Sequence, residues 1–309
     1  MVVLISAMTE TKPHQEEAAA IREESVPLTC IRVLSKPYLR TTALLCTASI
    51  FRNFFFLQYR ASFLPGLIPV SRADHPLDIK IPFLPGKVNT YLDFVAFWIR
   101  TVGYLLRTCG RRAQEPVRNF IETMGGLYEW AAIVYRKHLS TTDRPFYVKR
   151  LRFLLIHAVD PHLMCIPSLH VMIVIRTYTL FLDIIKALGE EARFAGQAEE
   201  LRRGALGITE AVLYVKQHSV NCISAAMYAM TRFDPGLFPP GEAERFVAGI
   251  FSGPDEDGAV AGEDGDEIRK HILSLYYRFL SQGETPRGRE DWTLPLLIFL
   301  KESPVLITQ

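Results

Sequence analysis

The 309-residue sequence has few cysteines and lacks a metal-binding or secretory signature. Its five cysteines, at positions 30, 46, 109, 165 and 222, form no Cys-x-x-Cys pair, so no zinc-site spacing is present, and the odd count gives no clear disulfide framework. The net charge is only +2, which argues against a nucleic-acid-binding protein. The beginning, MVVLISAMTETKPHQEE, has no basic segment followed by a long apolar one, so it does not indicate a cleaved signal peptide.

The sequence also lacks an uncharged apolar run of about 18 residues, the usual length of a membrane span, although 49% of it is hydrophobic. Apolar stretches interrupted by charges recur instead. They cover residues 41–58, 88–106, 119–135, 168–188, 205–215 and 219–231. The interrupting charges include Arg52, Arg100, Glu122, Glu129, Arg176 and Asp183. Charges within a membrane span usually face a bundle interior. The pattern therefore predicts an all-α protein and leaves two forms open, a polytopic membrane bundle or a soluble bundle.

The basic residues between the apolar stretches favour the membrane bundle. Residues 36–40, 107–118 and 193–203 are all rich in lysine or arginine. Placing these segments in the cytoplasm satisfies the positive-inside tendency. The other two loops then face outward although they also carry basic residues, which requires those residues to have a function.

The composition divides the chain into four regions. Residues 1–35 are polar and are predicted to be a mobile tail, and the helical domain covers 36–231. Residues 232–266 are rich in glycine, proline and acidic side chains, which is typical of a linker. Residues 267–309 contain an amphipathic helix over 267–283, which we expect to pack on another element or lie on a membrane. A soluble helical protein that binds a partner through 267–283 is the third and least favoured hypothesis.

Three clusters of basic and imidazole side chains occur in order, each next to an apolar stretch. They are KHLSTTDRP (137–145), CIPSLHVMIVI (165–175) and YVKQHSVNC (214–222). This order resembles the type 2 phosphatidic acid phosphatase superfamily, and its membrane-bound branch in particular. The family pattern matches Lys137, Arg144, Pro145, Pro167, Ser168, His170 and His218. The segment 78–94 is also similar to that branch, and the resemblance covers roughly residues 41–231.

The resemblance implies a membrane bundle of about six transmembrane helices, of the phosphatase and haloperoxidase type, with its active site on the outer face. It implies that His218 attacks phosphorus to give a phosphohistidine and that His170 protonates the leaving oxygen. Lys137, Arg144, Ser168 and Lys216 are then expected to bind the phosphate. A lipid phosphate is the implied substrate. No metal or other cofactor is required, and protein partners remain unidentified.

The third cluster departs from the family pattern at two positions. Val212 stands where the family has an arginine, and Lys216 is a candidate replacement without the guanidinium fork. Cys222 stands where the family has the aspartate that orients the nucleophilic histidine, and losing such an acid can cost orders of magnitude in rate. Asp143 and Asp160 are candidate replacements from the outward loop. The sequence therefore leaves open an enzyme and a catalytically impaired relative that binds lipid headgroups or serves as a scaffold.

Three further histidines, His138, His157 and His162, lie near these clusters and match no position of the family pattern. We expect them to be structural.

Overall fold

The computed structural model describes residues 20–64, 66–253, 260 and 262–304, and over these the chain is mostly α-helical, which confirms the predicted all-α class. The first half contains α1 (Val26–Leu34), α2 (Pro37–Ile50), α3 (Phe56–Phe63), α4 (Val88–Leu92), α5 (Phe94–Thr108), α6 (Gln114–Tyr135) and α7 (Leu151–Val159). The second half contains α8 (Leu169–Ala187), α9 (Ala195–Tyr214), α10 (Val220–Phe233), α11 (Pro240–Gly249), α12 (Gly262–Gly283), α13 (Pro286–Glu290) and α14 (Leu294–Glu302). A π-helical turn, Phe51–Phe55, joins α2 to α3. All six apolar stretches of the sequence thus fall largely on helices.

Helix α8 forms the centre of the bundle and packs against α5, α6, α9 and α10. Every side chain from 171 to 181 is buried, as expected for a helix that is apolar on all sides. The one charge in this run, Arg176, pairs with Asp234 at 2.6 Å, which compensates part of the cost of burying the guanidinium. Because α8 is enclosed by four helices, its first residue and those just before it have fixed positions at one end of the bundle.

The loops at that end of the bundle are joined by a small parallel sheet. Strand β1 (Val70–Arg72) pairs with β2 (Leu139–Thr141), with Ser71 opposite Ser140, and Ser140 also bridges to Met164. The segments 60–87 and 137–166 therefore meet beside the start of α8.

No helix in the described ranges is both long enough and apolar enough to cross a membrane. Large apolar side chains are nevertheless exposed on α1 to α3 and on the residues in and before α7. On α1 to α3 and the turns beside them these include Leu28, Ile31, Leu44, Leu45, Phe51, Phe56 and Phe63, and around α7 they are Phe146, Val148, Leu151, Leu154 and Leu155.

The four predicted regions need correction at two places. Residues 26–34, placed in the mobile tail over 1–35, form α1, which packs against α5 because Thr29 and Val33 are buried; residues 1–19 lie outside the described residues. The linker over 232–266 contains α11, and α12 begins at Gly262. Residues 254–259 and 261 are again outside the described residues.

The amphipathic helix over 267–283 is confirmed as the greater part of α12. Its buried residues include the predicted apolar face, and it packs against α10, α11 and α14. That face is Ile268, Ile272, Leu275, Tyr276 and Phe279. The C-terminal region is thus part of the helical body.

Candidate functional site: a pair of buried imidazoles

Two histidines from the second and third clusters meet at the end of the bundle where α8 and α10 begin. His170 lies in the first turn of α8, and His218 lies two residues before α10. Because these helices pack against each other, Nε2 of His218 comes within 3.3 Å of Nδ1 of His170. The rings are 5.4 Å apart and meet edge to face. The structure therefore brings together the two residues predicted to be catalytic.

The position of His218 is set by the turn between α9 and α10. The N–H groups of Gln217 and Lys216 donate to the carbonyls of Val212 and Leu213, the double hydrogen bond of a Schellman helix end. Lys216 adopts φ 56° at the position of this motif where glycine is usual. The turn thereby delivers the next residues directly to the N-terminus of α10.

The N-terminus of α10 is capped from two sides. The Ser219 hydroxyl accepts from the N–H of Asn221, and Asp78 Oδ1 accepts from the N–H of Val220 at 3.0 Å. Burial raises the pKa of Asp78, while its hydrogen bonds and Lys216 oppose the shift. Asp78 therefore joins the loop over 60–87 to the start of α10, beside His218.

His170 is held by aromatic rings on the side of α4 and α5. Its imidazole lies 4.7 Å from the ring of Tyr91, nearly parallel, and 4.2 Å from the ring of Phe94. Burial lowers its pKa well below the ordinary value, and the neighbouring His218 and His162 act in the same direction. His170 is therefore neutral at pH 7 when the site holds no anion.

A cavity of about 20 Å³ separates the two imidazoles from the loop over 137–166. It is lined by Phe54, Gln58, Asp160, His162, Met164, Cys165, Leu169, His170 and His218. This volume is sufficient for about one water molecule. Two buried polar atoms nearby in the chain, Ser168 Oγ and His218 Nδ1, have no hydrogen-bond partner within the described ranges.

Arg144 is connected to the surroundings of the imidazoles by two hydrogen bonds. Its guanidinium donates to the side-chain oxygen of Gln217 at 3.3 Å and to the carbonyl of Asp160 at 3.1 Å. The first partner is adjacent to His218, and the second lines the small cavity. Arg144 and Lys216 also line a larger cavity of about 780 Å³ on their other side, together with Arg72 and Asp78.

The other predicted phosphate-binding residues behave differently from one another. Lys216 donates to the carbonyls of Asp78 and Ile81, and burial lowers its pKa. Ser168 is fully buried at the N-cap position of α8. Lys137 is not at the site, because its ammonium pairs with Asp291 at 2.8 Å and with Thr293 at 3.0 Å in the C-terminal region. Lys137 lines neither cavity, so its contacts do not support the predicted role in phosphate binding.

Cys222 is a buried thiol, as its apolar surroundings predict. Burial raises its pKa far above the ordinary value, so the side chain is uncharged and does not replace a carboxylate. Burial also lowers the pKa of His218 to about 4, although the backbone of Cys165 opposes this shift. His218 is thus neutral, but no acceptor among the described residues holds a proton on its Nδ1.

The two candidate replacements for the missing acid differ in position. Asp143 pairs with Arg72 at 2.6 Å and is exposed, so it does not face the imidazoles. Asp160 lines the small cavity with both of them, and burial raises its pKa while Arg144 opposes the shift. One water molecule in the cavity is enough to connect this carboxylate to an imidazole.

Two residues at the site were not predicted from the sequence to belong to it. Gln217 binds Arg144, and His162, expected to be structural, lines the cavity while its Nε2 bonds Thr142 at 2.9 Å. His162 has φ 61°, and its N–H donates to Asp160 at 2.8 Å. The sequence signal that could have indicated His162 is the position of Asp160-Pro161-His162 just before the second cluster.

No protein-family model, curated protein or solved structure matches this chain. Among the described residues, no group of three or more histidine, cysteine, aspartate or glutamate side chains is arranged to hold a metal ion.

Proposed function

We propose that the protein is a phosphatase or phosphotransferase that acts on a lipid phosphate through a phosphohistidine at His218. The observation that carries this proposal is the 3.3 Å contact between His218 and His170, with Arg144 bonded to the residue beside His218. Phosphoryl transfer needs a nucleophile, a proton donor and cations near the phosphate oxygens, and these three side chains supply one of each.

In the proposed reaction, Nε2 of His218 forms a bond to phosphorus as the bond from phosphorus to the ester oxygen breaks. His170 gives its proton to that oxygen, and the alcohol leaves. Water then attacks the phosphohistidine, which releases inorganic phosphate and returns a proton to His170; an acceptor alcohol in place of water gives the transferase. A bound phosphate raises the pKa of the nearby His170 by opposite charge, which is needed because burial otherwise keeps it neutral.

The small cavity must widen for this reaction, since about 20 Å³ accommodates one water molecule and not a tetrahedral phosphate. Arg144 lines the larger cavity and also hydrogen-bonds the carbonyl of Asp160, a residue of the small cavity. Breaking its bonds to Gln217 and Asp160 frees the two N–H groups that make them for phosphate oxygens. We therefore assign the approach of the substrate to the side of Arg144 and Lys216.

A second function, headgroup binding without turnover, is favoured by the state of the third cluster. The Cys222 thiol is uncharged, and Nδ1 of His218 has no partner among the described residues. Without an orienting acid the imidazole is a poor nucleophile, whereas Arg144 and Lys216 still attract an anion. This candidate shares the site and differs only in chemistry.

Trapping the phosphohistidine separates the two functions. The wild type, His218→Ala and His170→Ala are incubated with phosphatidic acid labelled in its phosphate, and the denatured proteins are tested for acid-labile, base-stable label. The enzyme predicts label on the wild type, no label on His218→Ala, and slower labelling of His170→Ala. Bound but unreacted lipid in all three proteins supports the binding function and contradicts phosphoryl transfer.

The remaining parts of this proposal come from the family resemblance. The bundle of about six transmembrane helices, the integral membrane location and the outward-facing site stay predictions. Accessibility of Arg144 and His218, each replaced by cysteine, to an impermeant thiol reagent from either side of the membrane tests them. Labelling of the two positions from opposite sides would contradict a single site.

A further inference from the structure

The segment 146–155 connects the two cavities and exposes an unusual set of side chains. It begins two residues after Arg144 and ends five residues before Asp160, so both of its ends are fixed at the candidate site. Phe146 is 83% exposed and Leu151 is 72% exposed, although both side chains are large and apolar. Val148, Leu154 and Leu155 are also exposed. Contiguous exposed apolar side chains usually mark an interaction surface.

The segment is well anchored, because several of its side chains, and one just after it, pack against the protein. The rings of Tyr147 and Phe153 lie 5.1 Å apart, and both contact Phe83, at 5.5 and 5.8 Å. Phe153 and Ile156 are buried. The anchored residues thus turn their neighbours in sequence outward, which makes the exposed set a property of the fold.

The charges of this segment are all positive. Lys149, Arg150 and Arg152 are exposed, and no acidic residue occurs between Asp143 and Asp160. Arg152 donates to Asn89 of α4, while the side chains of Lys149 and Arg150 have no ion-pair or hydrogen-bond partner in the part of the chain described. The contact with Asn89 places Leu92 and Val95, exposed on α4 and α5, beside the same surface.

We propose that the segment 146–155 docks onto the surface of an anionic lipid bilayer. Its exposed apolar side chains enter the boundary between headgroups and acyl chains, and its three cations face anionic headgroups, the arrangement of interfacial membrane-binding segments. An acidic protein surface complements the cations but offers little to Phe146 and Leu151. Docking holds Arg144 close to lipid phosphates. This surface goes beyond the proposed phosphoryl transfer and does not depend on His218 being a nucleophile.

A fluorescent probe at position 151 tests the contact in the full-length protein. Leu151→Cys is labelled with an environment-sensitive fluorophore after Cys30→Ser and Cys109→Ser remove the partly exposed thiols. The labelled protein is mixed with, or reconstituted into, phosphatidylcholine vesicles with or without phosphatidylserine. We expect a blue shift and quenching by nitroxide lipids when phosphatidylserine is present. The matched label at Arg245→Cys, on α11 and equally exposed, should remain unquenched.

Charge removal tests the anionic partner. The double variant Lys149→Gln, Arg150→Gln should raise the lipid concentration that gives half of the maximal probe response roughly 25-fold. Each cation near an anionic surface contributes about a fivefold factor in affinity. The control is the double variant Arg202→Gln, Arg203→Gln, which removes two cations from α9. It should leave the affinity for the vesicles unchanged. Circular dichroism and thermal unfolding confirm that both variants fold.

Three outcomes overturn the inference. In the first, the probe at position 151 senses no lipid, and in the second it responds equally without phosphatidylserine. In the third, it responds to polyglutamate but not to vesicles, which would assign the surface to an acidic protein. Hydrolysis of the soluble ester p-nitrophenyl phosphate reports on the imidazole site and does not require docking. Docking without hydrolysis therefore removes only the proposed function, and hydrolysis without docking removes only this inference.

Discussion

His218 Nε2 and His170 Nδ1 lie 3.3 Å apart, so one proton occupies the space between two neutral imidazoles. For Nε2 of His218 to attack phosphorus, that proton must belong to His170 and the proton of His218 must be on Nδ1. Nδ1 is buried without an acceptor among the described residues, and an unpaired buried N–H is costly. The resting site thus favours the tautomer of His218 that cannot attack.

Cys222→Asp is expected to reverse this preference and raise the rate of phosphate release. The carboxylate accepts from Nδ1 and stabilises the charge that develops on His218, as the acid of a catalytic triad does. The gain should lie between about tenfold and about a thousandfold, the range that follows from the cost of losing such acids. Phosphate release from phosphatidic acid and polyprenyl pyrophosphate in detergent is the measurement.

Cys222→Asn is the matched control, since its amide has the same shape without the charge, and it should gain much less. Adding His218→Ala to Cys222→Asp should abolish the gain. A wild type that is already fast, and is not improved by Cys222→Asp, would show that another group, with Asp160 the first candidate, orients His218.

Removal of Arg144 should weaken phosphate binding and removal of Lys137 should not, although the family pattern pairs the two residues in one motif. Arg144→Ala should weaken the binding of inorganic phosphate or of a phosphate ester about 10- to 100-fold, which corresponds to one hydrogen bond to a charged group. Titration calorimetry with inorganic phosphate, or inhibition by it, measures the change.

Lys137→Ala is the control, because Lys137 pairs with Asp291 away from the site. It should leave phosphate affinity unchanged and lower stability by about 1 kcal/mol or less, as removal of an exposed ion pair does. Equal losses of affinity in the two variants would mean that the site rearranges to recruit Lys137.

The sequence predicts the helices and the imidazole pair because both depend on short-range patterns. Each apolar stretch is long enough to form a buried helix, and the buried face of α12 follows from its 3.6-residue period. His170 and His218 each sit where a helix begins, so two packed helices suffice to bring them together.

The contacts of Lys137 and Asp160 could not be predicted in the same way. Asp291 is 154 residues from Lys137, and only the folded C-terminal region shows that it returns to the end of α6. Asp160 reaches the cavity because the loop before α8 turns at His162, which has a positive φ. A histidine in that conformation is uncommon, so the pattern of residues gave no reason to expect the turn.

The C-terminal region should contribute measurably to stability through Trp292. Its indole stacks on Trp130 with ring centroids 4.3 Å apart and planes 3° from parallel, and Tyr228 donates to its carbonyl. Trp292→Ala should lower the free energy of unfolding by about 2–3 kcal/mol, below the usual range for a fully buried tryptophan because this one is half-buried. Urea unfolding measures the loss.

Trp292→Phe retains an aromatic ring and should lose no more than about 1 kcal/mol. Near-ultraviolet circular dichroism should also change in both variants as the indole pair is removed. An alanine variant as stable as the phenylalanine variant would show that the stacking contributes little.

Stability should fall as the pH falls below neutrality, in part because of His271. Its ring stacks on that of His75 with centroids 3.8 Å apart, and its Nε2 donates to Oδ1 of Asn221 at 2.8 Å, since Nδ2 of Asn221 donates to the carbonyl of Ala73. Burial, and secondarily the neighbouring His75, lower the pKa of His271 from 6.5 to about 4. Burial also lowers the pKa of His75, although Asp78 and Glu267 oppose this shift.

The sign follows from proton binding. Between pH 6.5 and about 4 the unfolded chain binds a proton at His271 that the folded chain does not, so the stability present above this range is lost as the pH falls through it. Because the ring is partly solvated, we expect the contribution of His271 to be about 1–2 kcal/mol. Urea unfolding across this range measures this contribution.

His271→Phe keeps the stacked ring without the titration, and His271→Gln keeps a donor for Asn221. Both variants should show a smaller loss of stability on acidification than the wild type, and an unchanged loss would assign the pH dependence to other buried histidines such as His218.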